Sequence, residues 1–140
     1  LEVTPIAAIH NARTPFAFLI REGLKRVLFI GETGRVTDQM KTLIPTVDAL
    51  LIEANHEPGM LVANERLSDF LKQRILANHL SNQKALEAIR LARSDVRYVV
   101  QLHLSQDNND PALVGSICEP VVPSRLFVAS QRESTGVLEI

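Results

Sequence analysis

A short, nearly continuous apolar run in the middle of the chain constrains the fold more than any other feature. Residues 47–52 read Val-Asp-Ala-Leu-Leu-Ile, and only the aspartate interrupts the apolar pattern. Such a run is typical of a strand that is covered on both faces. Segments with helical spacing precede and follow it. The pattern therefore predicts a mixed sheet in which strands alternate with covering helices, an α/β (α+β) architecture.

The remaining periodicity predicts the other elements. Strands are expected over residues 1–9, 16–20, 27–30, 98–102, 126–129 and 136–140, with a hairpin joining the second to the third and a loop over 53–59. Helices are expected over residues 36–44, 67–75, 81–92 and 111–118. Pro45 ends the first helix. Asp110 and Pro111 form an N-cap and first-turn pair for the last one, and Ser81 or Asn82 can cap the helix before it.

Composition excludes several classes of protein. A chain of 140 residues is at most one domain's worth, so we treat residues 1–140 as a single unit. The one cysteine, Cys118, excludes an intramolecular disulfide and favours a reducing, cytoplasmic compartment. No apolar run approaches the length that spans a bilayer. Because 15 basic and 16 acidic residues nearly cancel, a phosphate-bearing substrate would have to be held locally.

Histidines stand where apolar segments give way to polar ones. His10, His79 and His103 occupy such places, and Glu32 follows a strand in the same way. Strand ends fix the backbone and leave the side chain free to bind. Imidazole and carboxylate together suit zinc, manganese or iron. The alternative is that each histidine is bonded to a nearby carbonyl. For His56 we expect a loop histidine satisfied by solvent or backbone.

Several short motifs, taken together, resemble those of one hydrolase family. They are Leu-Ile-Glu-Ala-Asn-His-Glu at 51–57, Leu-Lys-Gln-Arg-Ile at 71–75, His-Leu-Ser-Asn at 79–82, His-Leu-Ser at 103–105 with Asn108-Asn109 and Pro111, His10-Asn11-Ala12 with Pro15, and Gly-Glu-Thr-Gly at 31–34. Their order is similar to that of the metallo-β-lactamase-fold hydrolases of the WalJ/YycJ type. The resemblance covers nearly the whole chain.

The resemblance implies a role for each matched residue. His10 and His103 match metal-ligating histidines, and Glu32 matches an aspartate that bridges two divalent metals, zinc or manganese. His79 matches a histidine that assists catalysis beside the reacting phosphate. The implied reaction is metal-assisted phosphodiester hydrolysis with DNA as the substrate. Residues assigned to substrate binding are Ser81, Asn82, Asn108 and Asn109, although the two asparagines at 108–109 also suit a turn.

The chain departs from the family pattern at informative positions. Glu32 and Asn11 each stand where the family has aspartate, and Asn78 stands where it has glycine. The family's H-x-H-x-D-H motif, which belongs to its N-terminal half, occurs nowhere in the 140 residues. The resemblance therefore implies the C-terminal half of a four-layer αββα sandwich. We expect the isolated chain to be inactive or nearly so, with no bound metal as one outcome.

A second hypothesis is a divergent, non-catalytic module of the same fold, which the three substitutions favour. The sheet face that the missing half would cover then needs another partner, and self-association is the simplest. A third hypothesis is that the chain is a truncated or proteolytic product of an active enzyme. Sedimentation and the coding sequence upstream of Leu1 discriminate among these.

Overall fold

Six strands form a single mixed sheet in the computed structural model, which describes residues 1–13, 15–122 and 125–140. The strands are β1 (Glu2–Ala7), β2 (Phe16–Glu22), β3 (Lys25–Ile30), β4 (Ala49–Glu53), β5 (Tyr98–Leu102) and β6 (Leu126–Val128). They lie side by side in chain order. β1, β2 and β3 are antiparallel, whereas β3 to β6 are parallel. The predicted mixed sheet is confirmed.

The helices lie in the connections between the strands. They are α1 (Asp38–Leu43), α2 (Pro58–Ala63), α3 (Asp69–Asn78), α4 (Asn82–Ile89) and α5 (Pro111–Cys118). A 3₁₀ turn that contains Pro45 follows α1. Ser81 caps α4 and Asp110 caps α5, as their sequence patterns predict. The predicted loop over 53–59 is wrong at both ends, because β4 continues to Glu53 and α2 begins at Pro58.

One face of the sheet carries the hydrophobic core. Cross-strand pairing aligns a row of fully or nearly buried side chains, Leu19, Leu28, Leu50 and Val99. Apolar residues of the helices pack against this face, among them Met40, Ile44, Leu86 and Ile89. Every second residue of each strand points this way. The core therefore fixes the register of the strands and, with it, the positions at which they end.

The opposite face of the sheet is also apolar, but the described residues cover it only in part. Cross-strand pairing aligns a second row across all six strands, Pro5, Phe18, Phe29, Leu51, Val100 and Phe127. Most of these side chains are half-buried, and Phe16 beside them is 46% exposed. An apolar sheet face normally packs on a second layer. We refer to this row and Phe16 as the open face.

Two sequence expectations differ from the structure. Residues 136–140 form no strand, because their alternation meets no neighbouring strand in the described part of the chain and Val137 is 91% exposed. The helix over 67–75 is present as α3, yet none of its residues is buried, and Phe70 is 75% exposed. Among the described residues, no helix is both long and apolar enough to cross a membrane.

Candidate active site

The predicted chemistry-bearing residues meet at one edge of the sheet. β1 and β3 are both antiparallel to β2, and β3, β4 and β5 are parallel, so these four strands run in the same direction. Their carboxyl ends therefore share one edge, where α/β proteins place their sites. His10 and Glu32 follow β1 and β3, and His103 follows β5. His79 joins them from the end of α3, and its ring centroid lies 5.1 Å from that of His10 and 5.3 Å from that of His103.

Glu53, the last residue of β4, is the centre of this arrangement and was not among the predicted site residues. Its side chain is fully buried. One carboxylate oxygen, Oε1, lies 2.6 Å from His79 Nδ1 and 2.8 Å from His103 Nδ1. The other, Oε2, accepts from the backbone N–H groups of Leu80 at 2.9 Å and Thr33 at 3.2 Å. One carboxylate thus joins the segments after β3, α3 and β5.

These hydrogen bonds determine the charge of Glu53 and the tautomers of both rings. Burial alone would raise the pKa of Glu53, but the hydrogen bonds from His103, His79 and the Leu80 N–H outweigh it, so the pKa is lowered. An ionised carboxylate only accepts, so each Nδ1 donates its proton to it. The Nε2 atom of each ring is left free for a metal or a substrate.

His103 is held in an unusual backbone conformation. Its φ of 58° lies in the left-handed region, which non-glycine residues rarely adopt. The side-chain amide of Asn55 donates to the His103 carbonyl at 3.1 Å and secures this turn. The hydrogen bond to Glu53 raises the pKa of His103, and the nearby Glu32 adds to the effect. Local strain of this kind is common where a fold aims a functional side chain.

Glu32 lies between two imidazoles without forming a normal hydrogen bond to either. Its oxygens are 3.4 Å from His10 Nε2 and 3.5 Å from His103 Nε2, and its side chain is 48% exposed. Hydrogen bonds between nitrogen and oxygen usually span about 2.7–3.2 Å. Two ligands of a tetrahedral metal with bonds of about 2.0–2.1 Å lie about 3.4 Å apart. Each glutamate–histidine pair therefore has the separation of two ligands of one metal, and imidazole with carboxylate is a suitable donor set for zinc.

The ring of His10 has a less suitable tautomer for binding a metal than the ring of His103. Its Nδ1 accepts a hydrogen bond from the Ala12 N–H at 3.1 Å. The neutral ring therefore carries its proton on Nε2, the atom that faces Glu32. A metal at this nitrogen would have to displace that proton, whereas His103 already presents a free Nε2.

Glu53, His79 and His103 also form a cluster whose potential ligand atoms all lie within 4.8 Å of one another. Such a cluster is a possible metal site. The distances from Glu53 to the two Nδ1 atoms, 2.6 and 2.8 Å, are nevertheless hydrogen-bond lengths and shorter than ligand-to-ligand separations. We therefore interpret Glu53 as the residue that orients both rings.

Gly34 permits the close approach that completes the site. A Cβ atom at this position would lie 1.9 Å from the carbonyl oxygen of Ala77 in α3, so any larger residue would push the two segments apart. The Gly34 N–H donates to the Ile9 carbonyl at 2.6 Å. The loop that carries Glu32 is thereby held against both the end of β1 and the turn that carries His79.

The four residues predicted to bind substrate are buried behind this edge. Ser81 caps α4, and Asn82 and Asn109 exchange reciprocal amide hydrogen bonds of 2.9 Å. Asn108 bonds to the Ser105 hydroxyl and to Asn64. Their polar atoms join the loops below the site. Substrate binding by these four residues stays a prediction.

His56 differs from its sequence expectation. Its side chain is only 1% exposed, and neither ring nitrogen has a hydrogen-bond partner in the described part of the chain. The expectation that solvent or backbone satisfies it is wrong, because the ring is buried away from solvent and no backbone group of the described residues bonds to it. The backbone of His56 forms an isolated β-bridge with Ser81. Burial lowers the pKa of His56 to about 4, so the ring is neutral near pH 7.

A surface cavity opens onto the site from each side. One, of about 470 Å³, is largely polar and is lined by His10, Asn11, Glu32, Arg74, His79 and His103, among others. The other, of about 420 Å³, reaches from the same His10 and Glu32 toward Phe16 and Phe29 on the open face. The candidate metal ligands are therefore accessible, whereas Glu53 beneath them is not.

Comparison with known proteins agrees with the resemblance inferred from the motifs. A family model described as a β-lactamase superfamily domain matches residues 1–104. The exodeoxyribonuclease YycJ of Bacillus anthracis is 30% identical over 130 residues, which make up 91% of this chain and 49% of that protein. The exodeoxyribonuclease WalJ of Streptococcus pneumoniae serotype 2 (strain D39 / NCTC 7466) is 32% identical over 112 residues, 78% of this chain and 41% of that protein. The chain thus spans about half the length of the curated relatives it matches.

Solved structures are similar in fold. A diphosphatase of the PhnP family superimposes with a TM-score of 0.55 at 13% sequence identity. The match includes 91% of this chain and 39% of the diphosphatase chain. The Zn²⁺-bound PqqB from Methylobacterium extorquens superimposes with a TM-score of 0.56 at 19% identity, over 91% of this chain and 43% of its own. At these identities the likeness concerns the fold alone. It confirms the predicted fold class.

Proposed function

The chain belongs to the β-lactamase superfamily, and on that premise we propose that it forms one part of the active site of a cytoplasmic, metal-dependent phosphodiesterase that acts on DNA. The observation that carries the proposal is the meeting of three histidines and two glutamates at the carboxyl edge of the sheet. The curated relatives, which are exodeoxyribonucleases by name, support DNA as the substrate.

In this proposal His10, Glu32 and His103 would contribute ligands to a site for two divalent metals, zinc or manganese, in the intact protein. The metal would polarise a phosphoryl oxygen of the substrate and stabilise the leaving group. Glu53 fixes the ring of His103 through Nδ1, so that Nε2 faces the metal position.

His79 is the proposed catalytic residue. Glu53 holds its Nδ1 at 2.6 Å, so the Nε2 atom is directed away from the buried carboxylate. In the protonated ring Nε2–H would donate a proton to the leaving oxygen, while the hydrogen bond between Nδ1 and the Glu53 carboxylate keeps the ring oriented. Because Glu53 is fully buried, water does not weaken this pairing.

We propose further that this chain alone is inactive or nearly so. It offers three candidate ligands, whereas a two-metal site needs more donors than three residues supply. The missing donors would come from a segment equivalent to the other half of the relatives, packed on the open face. The domain assignment as the C-terminal half of a four-layer sandwich rests on the same reasoning.

Two measurements test the proposed function. The coding sequence upstream of Leu1 is expected to contain an H-x-H-x-D-H segment, and the product that includes it is expected to degrade DNA with Mn²⁺ or Zn²⁺. In that product His79→Ala should lower kcat by about 10²–10⁴-fold, the contribution of a general acid. Robust DNA hydrolysis by the 140-residue chain alone would refute its proposed inactivity, and a full-length product without metal-dependent hydrolysis would refute the function.

A non-catalytic, self-associating module is the second candidate, and the open face favours it. Phe16, Phe18 and Phe29 form a continuous apolar surface that a second copy could cover. Sedimentation of the chain at rising concentration tests this candidate, with Phe16→Glu as the variant expected to abolish a dimer. A clean monomer at high concentration argues against it.

A further inference from the structure

We propose that Arg74 binds a non-bridging oxygen of the substrate phosphate at the mouth of the site, and that Asn11 holds its guanidinium in position. The inference rests on the proposed function, which it deepens by naming a phosphate-binding residue outside the candidate metal ligands.

The position of Arg74 is the first observation. It lies on the exposed side of α3 and lines the polar cavity together with His10, Glu32, His79 and His103. Of the described residues that line this cavity, it is the one arginine or lysine. It forms no ion pair within 4.0 Å with a carboxylate of the described chain, so its charge is not neutralised locally.

Asn11 is the second observation. In the amide orientation that matches donors to acceptors, its Oδ1 accepts from Arg74 Nε at 2.8 Å and from Arg74 Nη2 at 2.9 Å. In the same orientation its Nδ2 donates to His10 Nδ1 at 3.3 Å. A guanidinium carries five N–H donors, and Asn11 uses two of them. Three donors therefore remain available, on a side chain that is tied to the ring of a candidate metal ligand.

The acidic character of the site is the third observation, because it calls for a positively charged group to bind a phosphate. Glu32 and Glu53 are both acidic, and the whole chain has a net charge of −1, so in the metal-free chain neither these carboxylates nor the global field attracts a phosphodiester. Lys84 does not line this cavity; its Nζ donates to the Gly34 carbonyl at 3.0 Å, and its side chain lines a different cavity. Arginine binds phosphate oxygens through the parallel N–H groups of its planar guanidinium. Because Asn11 is neutral, it orients the guanidinium without cancelling its positive charge.

The test measures anion binding by the metal-free chain and does not depend on turnover. Inorganic phosphate and a short single-stranded deoxyoligonucleotide are titrated into ¹⁵N-labelled protein at low salt, and the backbone amide signals of residues that line the cavity, such as Asn78 and His103, are followed in every variant. We expect Arg74→Gln to weaken binding of both probes about 10-fold, the scale of one charge-assisted contact. The matched control, Arg66→Gln, removes the same charge from an exposed residue outside the cavity and should change binding less than twofold. Equal losses in the two variants would overturn the inference.

The Asn11→Asp variant is a second, independent test of phosphate binding by Arg74. A carboxylate at this position would form an ion pair with Arg74, so we expect phosphate binding to weaken about fivefold while the fold remains intact by circular dichroism. Unchanged or stronger binding would contradict the inference. If Arg74→Gln weakens phosphate binding but the full-length product hydrolyses no DNA, the proposed function fails and the phosphate site stands. If that product hydrolyses DNA and Arg74→Gln leaves its KM unchanged, the phosphate site fails alone.

Discussion

Glu53 is the last residue of β4 and Glu32 follows the neighbouring strand β3 at the same edge of the sheet, yet the surroundings of the two carboxylates are opposite. Glu53 is fully buried and accepts four hydrogen bonds from segments distant in sequence. Glu32 is half exposed, and its nearest imidazole nitrogens are 3.4 and 3.5 Å away. Hydrogen bonds within the fold organise the buried carboxylate, whereas Glu32 lies from each imidazole at the separation of two ligands of one metal.

The difference follows from the cost of burying charge. An ionised carboxylate away from water is tolerated only when donors replace its hydration, so Glu53 needs all of its partners. Glu32 keeps much of its hydration and can accept loose contacts. We expect substitutions in the buried part to change stability and those in the open part to change binding.

Glu53→Gln should have the largest effect. An amide offers one acceptor oxygen where the carboxylate offers two, and its NH₂ group would face the N–H donors that Oε1 or Oε2 now satisfies. Leaving such groups unpaired in the interior costs about 3–5 kcal/mol, which urea unfolding measures. Glu32→Gln is the matched control, for which we expect a change within about 0.5 kcal/mol. Similar losses in both variants would remove the distinction between the two carboxylates.

His56 provides a pH-dependent measure of the buried part. Its folded pKa of about 4 lies below the ordinary value of 6.5, so the unfolded chain binds the proton more readily between these values. Stability that is present above pH 6.5 is therefore lost as the pH falls toward 4, by up to about 3 kcal/mol.

The His56→Leu variant isolates this contribution. Because neither ring nitrogen is bonded, an apolar residue of similar size should be nearly neutral at pH 7. Unfolding curves of the two proteins should then diverge as the pH is lowered to 4, with the variant the more stable. Parallel curves across this range would show that His56 does not titrate as a buried group.

Substitutions in the solvent-accessible part of the site, at His103 and His10, are expected to change metal affinity. His103→Asn should lower the Zn²⁺ affinity of the chain, because it removes an imidazole whose Nε2 is oriented by the hydrogen bond from Nδ1 to Glu53. His10→Asn should have a smaller effect. The Nδ1 of His10 accepts a hydrogen bond from the Ala12 N–H, so the proton of the neutral ring is on Nε2, the nitrogen that would have to bind the metal. Calorimetric titration with Zn²⁺ compares the two. A larger loss at His10 would reverse our assignment of the prepared ligand.

Glu32→Asp should have the smallest effect on folding. Shortening the side chain by one methylene leaves the buried hydrogen bonds unchanged, so the free energy of unfolding should change by less than about 0.5 kcal/mol. Any change should appear in Zn²⁺ affinity, because the carboxylate withdraws from both imidazoles. A substantial loss of stability would mean that Glu32 supports the fold.

The four residues singled out in the sequence lie together in the structure, while their roles stay predictions. His10, Glu32, His79 and His103 were identified because each stands where such a segment gives way to polar residues or matches a family motif. The sequence pattern predicts a loop that begins at Glu53, and nothing in that pattern indicates that the carboxylate is buried. Its side-chain partners lie 26 and 50 residues away, at distances that no local pattern reveals.

Burial was also harder to predict than secondary structure. The spacing of Leu67, Phe70, Leu71 and Ile75 correctly indicated a helix, but α3 buries none of its residues. Periodicity reports which residues share a face, and it does not report what covers that face. The same limit applies to the open face of the sheet, whose apolar row is evident from register only after the strands are paired.

The left-handed backbone of His103 restricts which residues evolution or a mutational library can place there. Glycine, asparagine and aspartate adopt this conformation most easily, whereas β-branched residues are strongly disfavoured. Glycine would relieve strain of about 1–3 kcal/mol while deleting the imidazole. A saturation library at position 103, sorted once for abundance and once for metal binding, should therefore enrich different residues in the two sorts.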